Sequence, residues 1–503
     1  MWCESCYDFT FLYQPNCLYA ATIKNSKSKS VYLESSQLLQ LSGALLAAII
    51  MFVAAYAAPL RVSVAILLML IPFQPVATSY GSANVVMTFV LAGALMVRGR
   101  LQYVPMLGII LAVIFAYLVS ISQLPRSLYV LHGIEIIALV SGFLVFTLAY
   151  NLAREVEDHR SVINLLISAN VLAALYCVVQ FTVSPGESLE LFGVKELSLN
   201  ENRGEGDARL VGPFGTPGLT AAYFMWMTLI LLYEVLHSQG RRRVLISILI
   251  VTNVTMLIAT ANRGSFIVLL AGLLGFLFLF RARLGFTRIL GVLVGSTIIL
   301  VGTTAFVATY TEFGQMSDRL ARTMETRDGL PATRAASWPV AWKNVQQKPW
   351  LGHGPRIMGQ HERRFRHVPP EQLVSQYPHS LYLHLLVTVG IVGTLCMLFF
   401  IISVLWRIRQ GVKTGHFRSE YEKGWLLVGL ILVVAFLVDE LKIEFLRNTS
   451  VDYAHFVFAV FGIFLGWADK ARRQAIVTEP VPTSERSVSS GAQPYAVSHM
   501  KND

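Results

Sequence analysis

Arginine and histidine at the ends of apolar stretches mark where this sequence could do chemistry. Arg209 opens RLVGPFGTPG (209–218), and Arg203 stands six residues before it. Arg263 lies in ANRGS, a turn with almost no loop, between Asn262 and Ser265. Arg334 starts TRAASWPVAWKNVQQKPWLGHGP (333–355), which also carries Trp338, and His379 heads HSLYLHLLVTVGIVG (379–393). A guanidinium offers a planar fork of donors to phosphate or carboxylate oxygens. An imidazole titrates near neutral pH and can act as a general base.

Each feature also has a plainer reading. Glycine and proline in GPFGTPG favour a tight re-entry whose N–H groups could point at an anion, or simply a turn before a helix. Arg263 can snorkel to the interface, but an ionisable residue beside a membrane bundle also signals function. Asn262, Arg263 and Ser265 together make a polar turn able to hold a phosphate. Trp338, Val340, Ala341 and Trp342 suit an amphipathic surface helix ended by Pro349 and Gly352, in which the tryptophans anchor to the interface and fix Arg334. His384, one turn beyond His379, reads as structural.

These residues must be positioned by membrane helices. Of 503 residues 54% are hydrophobic and 14% charged, against roughly 25% charged in soluble domains. Apolar runs fall at 38–57, 62–78, 84–97, 104–122, 128–150, 161–181, 218–236, 243–260, 264–280, 287–309, 380–406, 424–442 and 452–468. They predict an all-α polytopic membrane protein with about 12–13 transmembrane helices. The net charge of +11 comes largely from turns such as HSQGRRR (237–243), RARLGFTR (281–288), RIRQGVKTGHFRSEYEK (407–423) and DKARR after the last run. Alternation puts these on one side, which the positive-inside rule makes cytoplasmic, together with the C-terminus. Counting back through 13 runs sets the N-terminus outside, whereas the basic KNSKSKS (24–30) favours the inside. The charge therefore reports orientation, and nucleic acid is not expected as a partner.

The opposite face receives two long loops, at about 182–217 and 310–379. The second carries ten Lys/Arg against six Asp/Glu, an excess that suits an anionic ligand, and short amphipathic helices are expected within it. Cys3 and Cys6 form a C-x2-C pair with Cys17 nearby, but no second pair of metal ligands is close. Cys177 and Cys396 lie within apolar runs.

In combination the motifs resemble the O-antigen ligase family and its related polymerases and O-oligosaccharyltransferases. The family's histidine pattern reads here as His379, Ser380, nine residues, Gly390, two residues and Gly393. NRGS is similar to its arginine turn, where serine is commoner at the position of Asn262. The segment from Arg334 through Trp338, Ala341, Pro349, Gly352 and Gly354 resembles its long-loop helix. The resemblance covers about residues 203–395. It implies transfer of a glycan from an undecaprenyl-diphosphate carrier to an acceptor hydroxyl, at the periplasmic face of a bacterial inner membrane. The acceptor would be lipid A–core or a growing glycan, and no cofactor or metal is implied. His379, Arg334 and Arg263 would be catalytic, with Arg209, Arg203, Asn262, Ser265 and Trp338 binding substrate. The expected domains are an extension (1–37), a transmembrane glycan-transferase unit (38–470) and a disordered cytoplasmic tail (471–503). A polymerase using the same donor is the alternative. A transporter or flippase fits less well, since those place ionisable groups near the midplane, often in repeated halves.

Overall fold

The computed structural model describes residues 48–73, 77–78, 81–101, 103–123, 129–182, 188–191, 194–198, 200–201, 208–310, 326–327, 330–331, 337–354, 378–441 and 451–478. The expected roles of Arg203 and Arg334, the N-terminal extension, Cys3, Cys6, Cys17 and residues 479–503 lie outside them.

The chain is an all-α polytopic membrane protein. Its helices are α1 (Ala48–Ala57), α2 (Leu60–Leu70), α3 (Ala83–Val97), α4 (Leu107–Ile121), α5 (Tyr129–Glu155), α6 (His159–Thr182) and α7 (Pro217–His237). After these come α8 (Gly240–Ala259), α9 (Arg263–Tyr310), α10 (Ser337–Gln347), α11 (Leu381–Thr414), α12 (Glu420–Asp439) and α13 (Val451–Thr478). Among the described residues eight helices are long and apolar enough to cross a membrane, and the further apolar helices Ala48–Ala57, Leu60–Leu70, Asn84–Val97, Leu107–Ile121 and Val294–Val307 are shorter. The sequence separates 264–280 from 287–309 by a basic loop. In the structure the two runs are helical segments that meet at a kink at Gly285, whose backbone is non-helical (φ 67°, ψ 158°), and α9 denotes the two together. The last helix also continues to Thr478.

Packing sorts the helices into inner and outer. In α13, 94% of the apolar window is buried, in α7 89% and in α5 78%, against 39% in α8 and 44% in α6. The inner helices are apolar all round because protein surrounds them, whereas α6 and α8 present apolar side chains outward. Close contact between α5 and α13 depends on Gly462 and Gly466. A Cβ on Gly462 would strike the Phe146 carbonyl, and one on Gly466 would lie 2.7 Å from the Tyr150 carbonyl. Small residues four apart let two backbones approach where water supplies no driving force.

Basic turns gather at one end of the bundle. The Tyr233 hydroxyl donates to the Tyr421 carbonyl at 2.9 Å, and His416 N–H donates to Ala471 at 3.0 Å, joining the ends of α7, α11, α12 and α13. Tyr233 also contacts Phe280, next to Arg281. Helices of about 20 residues span roughly 30 Å, so the turns at Thr260–Asn262, Pro378–Ser380 and Asp439–Glu440 lie at the other end.

Candidate functional site

The turn before α7 folds differently from an anion-binding loop. Thr216 caps the helix, accepting from Leu219 N at 3.5 Å, and Pro217 occupies the first turn, where a missing N–H costs nothing. Gly212 N–H donates to Gln180 Oε1 at 2.8 Å and Gly215 N–H to Gly212 O at 3.2 Å. Those two N–H groups are therefore already engaged, one with α6 and one within the turn. What it contributes is Arg209, on a short strand paired so that Arg209 opposes Glu201 and Leu210 opposes Asn200.

Arg209 meets the arginine turn directly. Its Nε donates to the Thr260 carbonyl at 3.0 Å, across 51 residues of sequence. Arg263 begins α9 just beyond. Asn262 is the helix cap: its Oδ1 accepts from Ser265 N at 3.2 Å, which satisfies one of the open N–H groups of the first turn. Ser265 is fully buried and Arg263 is half-buried. Thus Asn262 and Ser265 build the turn, while the two arginines supply its charge. Ala261 takes φ 49°, a conformation that costs a non-glycine residue free energy and that persists only where its surroundings enforce it.

His379 is held in a similar way. It is exposed and takes φ 50°. On its N-terminal side, Trp338 Nε1 donates to the Pro378 carbonyl at 2.9 Å. On its C-terminal side, Leu381 N–H donates to the Glu440 carbonyl at 2.8 Å. The indole N–H of Trp338 is thereby engaged with backbone. His384 is buried, and its N–H donates to Ser380 at 2.9 Å within the helix.

Below His379 the helix α11 is broken. Gly390 has φ 66° and ψ −170°, and the chain leaving α10 lies against the break. Ile391 N–H donates to Pro349 O at 2.8 Å and Val392 N–H to Trp350 O at 3.3 Å. In return His353 N–H reaches Val387 O at 2.7 Å and Gly354 N–H reaches Thr388 O at 2.8 Å. Backbone groups freed by the break are satisfied by a neighbouring segment, as the interior of a membrane protein requires. A side chain on Gly390 would collide with Trp350, and one on Gly352 (φ 68°) with Thr388. The histidine-to-glycine spacing therefore joins an exposed imidazole to the break that docks α10 beside it.

α10 buries one face against α11. Ala341 and Val345 pack on Val387, with Ser337 and Asn344 also buried, while Val340 and Trp342 are 38% and 52% exposed. His353 is buried, and its Nε2–H donates to the Asn344 carbonyl at 3.0 Å. Burial holds its pKa below the ordinary imidazole value.

Sequence reasoning missed the acidic residues here. Asp439, Glu440 and Asp452 are all buried, and Asn84 Nδ2 donates to Asp452 Oδ1 at 2.6 Å and to Phe73 O at 3.1 Å. The available signal was the stretch of sequence from Asp439 to Asp452, which has acids at both ends of the interval between two apolar runs.

No curated protein matches the chain. Residues 248–398 match the family described as O-Antigen ligase. That stretch holds Arg263, Trp338, His379 and Gly390, so over its arginine turn, docked α10 segment and broken histidine helix the chain matches the O-antigen ligase family.

Proposed function

We propose that this protein transfers a glycan from an undecaprenyl-diphosphate carrier to a sugar hydroxyl at the periplasmic face of a bacterial inner membrane. In this reading it is a ligase that joins polysaccharide to lipid A–core. The observation that carries the proposal is the O-antigen-ligase match over 248–398, a segment that includes both the arginine turn and the pinned His379. His379 takes the proton of the acceptor hydroxyl, and that oxygen attacks the anomeric carbon of the donor sugar. The bond from this carbon to the diphosphate oxygen breaks, and its electron pair leaves with the lipid diphosphate. Arg263, with Arg209 against its turn and with Arg334, which precedes α10 in sequence, stabilises the developing charge. Arg203 adds positive charge for binding the donor. Asn262 and Ser265 hold the arginine turn in shape, and Trp338 positions His379 through Pro378.

Arginine substitution tests this assignment. Arg263→Lys keeps the charge but loses the fork, and transfer by the purified protein is expected to fall severely while membrane accumulation stays normal. Near-full activity would reduce Arg263 to an interfacial anchor. A polymerase shares the same donor chemistry, and loss of the gene separates the two. A ligase leaves long carrier-linked chains without surface polymer, whereas a polymerase leaves single carrier-linked repeats. Turnover in detergent without a membrane gradient excludes a transporter.

A further inference from the structure

At the end of the bundle opposite His379, Tyr103 lies between α3 and α4 and is 43% exposed. Arg154, in the last turn of α5, places its Cζ 4.0 Å from the centre of that ring, and Arg473, from α13, places its Cζ 5.2 Å from it. Asn151 Nδ2 donates to the Tyr103 carbonyl at 2.7 Å and fixes the backbone there. Two like charges are thus held at one aromatic ring by separate helices. The nearby acid is already engaged: Asp469 pairs with Arg407 at 3.1 Å and accepts from the Tyr150 hydroxyl at 2.9 Å. Among the described residues no carboxylate pairs with Arg154 or Arg473. Arg154 Nη1 is buried there without a hydrogen-bond acceptor, an unfavourable state for a charged donor. A helix-dipole role explains a cation at the end of α5, but not a second one brought to the same ring from α13. Hydrogen bonding to Arg473 and then to Arg154, followed by their charge, holds the phenol below its ordinary pKa.

The surface beside this cluster is apolar. Leu107, Leu111, Phe115 and Leu118 are 48%, 54%, 67% and 50% exposed, and their spacing sets them on one face of α4 leading away from Tyr103. We propose that Arg154, Arg473 and Tyr103 bind the phosphodiester of an anionic membrane phospholipid, with an acyl chain along this face of α4. The guanidinium fork matches phosphate oxygens, and basic pockets between helices bind anionic head groups. The apolar track selects a lipid over free phosphate. The site does not depend on the transfer reaction.

The test is the thermal midpoint of the full-length protein in detergent, titrated with phosphatidylglycerol, phosphatidylcholine or inorganic phosphate. Phosphatidylglycerol is expected to raise the wild-type midpoint, while the other two leave it unchanged. Arg473→Gln, at an exposed position, should weaken the phosphatidylglycerol response about fivefold, the usual effect of one basic residue near an anionic surface. Arg154→Gln/Arg473→Gln should abolish it. The control is Arg409→Gln, which removes a cation stacked on Trp406 at 5.5 Å, and it should respond like wild type. Three results overturn the site: an unchanged response in Arg473→Gln, an equal loss in Arg409→Gln, or an equal shift with inorganic phosphate.

Discussion

Two residues that carry the proposed chemistry, Arg263 and His379, sit on or beside backbone that is held in an uncommon conformation. Residue types at span ends were readable from sequence, because an arginine or histidine there stands out against apolar neighbours. Their supports were not. Trp338 reaches Pro378 across 40 residues and Arg209 reaches Thr260 across 51, and pairings at that distance leave no periodic trace. Asn262, expected from the sequence to bind substrate, also caps α9 through its Oδ1, a role that short polar side chains fill readily. If Trp338 positions His379 through its N–H, Trp338→Phe keeps the ring but loses that bond, worth about 1 kcal/mol. Steady-state kinetics should then show kcat lowered about fivefold with KM nearly unchanged. A raised KM at constant kcat would instead place the indole against substrate.

Among the elements, α11 carries the most information, since its break at Gly390 explains the second half of the histidine motif. Apolar runs predicted a helix there but not an interruption, as hydropathy does not report backbone angles. Gly390→Ala forces a Cβ into a positive-φ site already filled by Trp350. It is expected to cost at least about 1–3 kcal/mol, read as a lower thermal midpoint and weakened transfer; an unchanged midpoint would show that the break is not needed. His353 makes the docking of α10 depend on pH. Its folded pKa lies below the ordinary value of about 6.5, so as pH falls the unfolded chain takes up the proton first. The stability contribution is therefore complete above about 6.5 and declines below it. Thermal unfolding across that range should show His353→Gln with a flatter dependence than wild type.

At the scale of the whole molecule, the apolar runs and the gathering of basic turns at one end were legible, since both follow from composition along the chain. The burial of Asp439, Glu440 and Asp452 was not, because it depends on what packs alongside. The molecule thus separates a strongly basic end from an end where pinned arginine and histidine turns meet a broken helix. The proposed function assigns bond making to the second end. The most direct test gives the purified full-length protein an undecaprenyl-diphosphate-linked glycan and a lipid A–core acceptor. Transfer is followed against pH for wild type and His379→Ala, with donor binding measured separately. Wild-type transfer should fall as the pH is lowered and the imidazole takes up a proton. His379→Ala should bind donor normally and transfer on the order of 10² to 10⁴ more slowly. A His379→Ala protein that transfers at the wild-type rate would contradict the account.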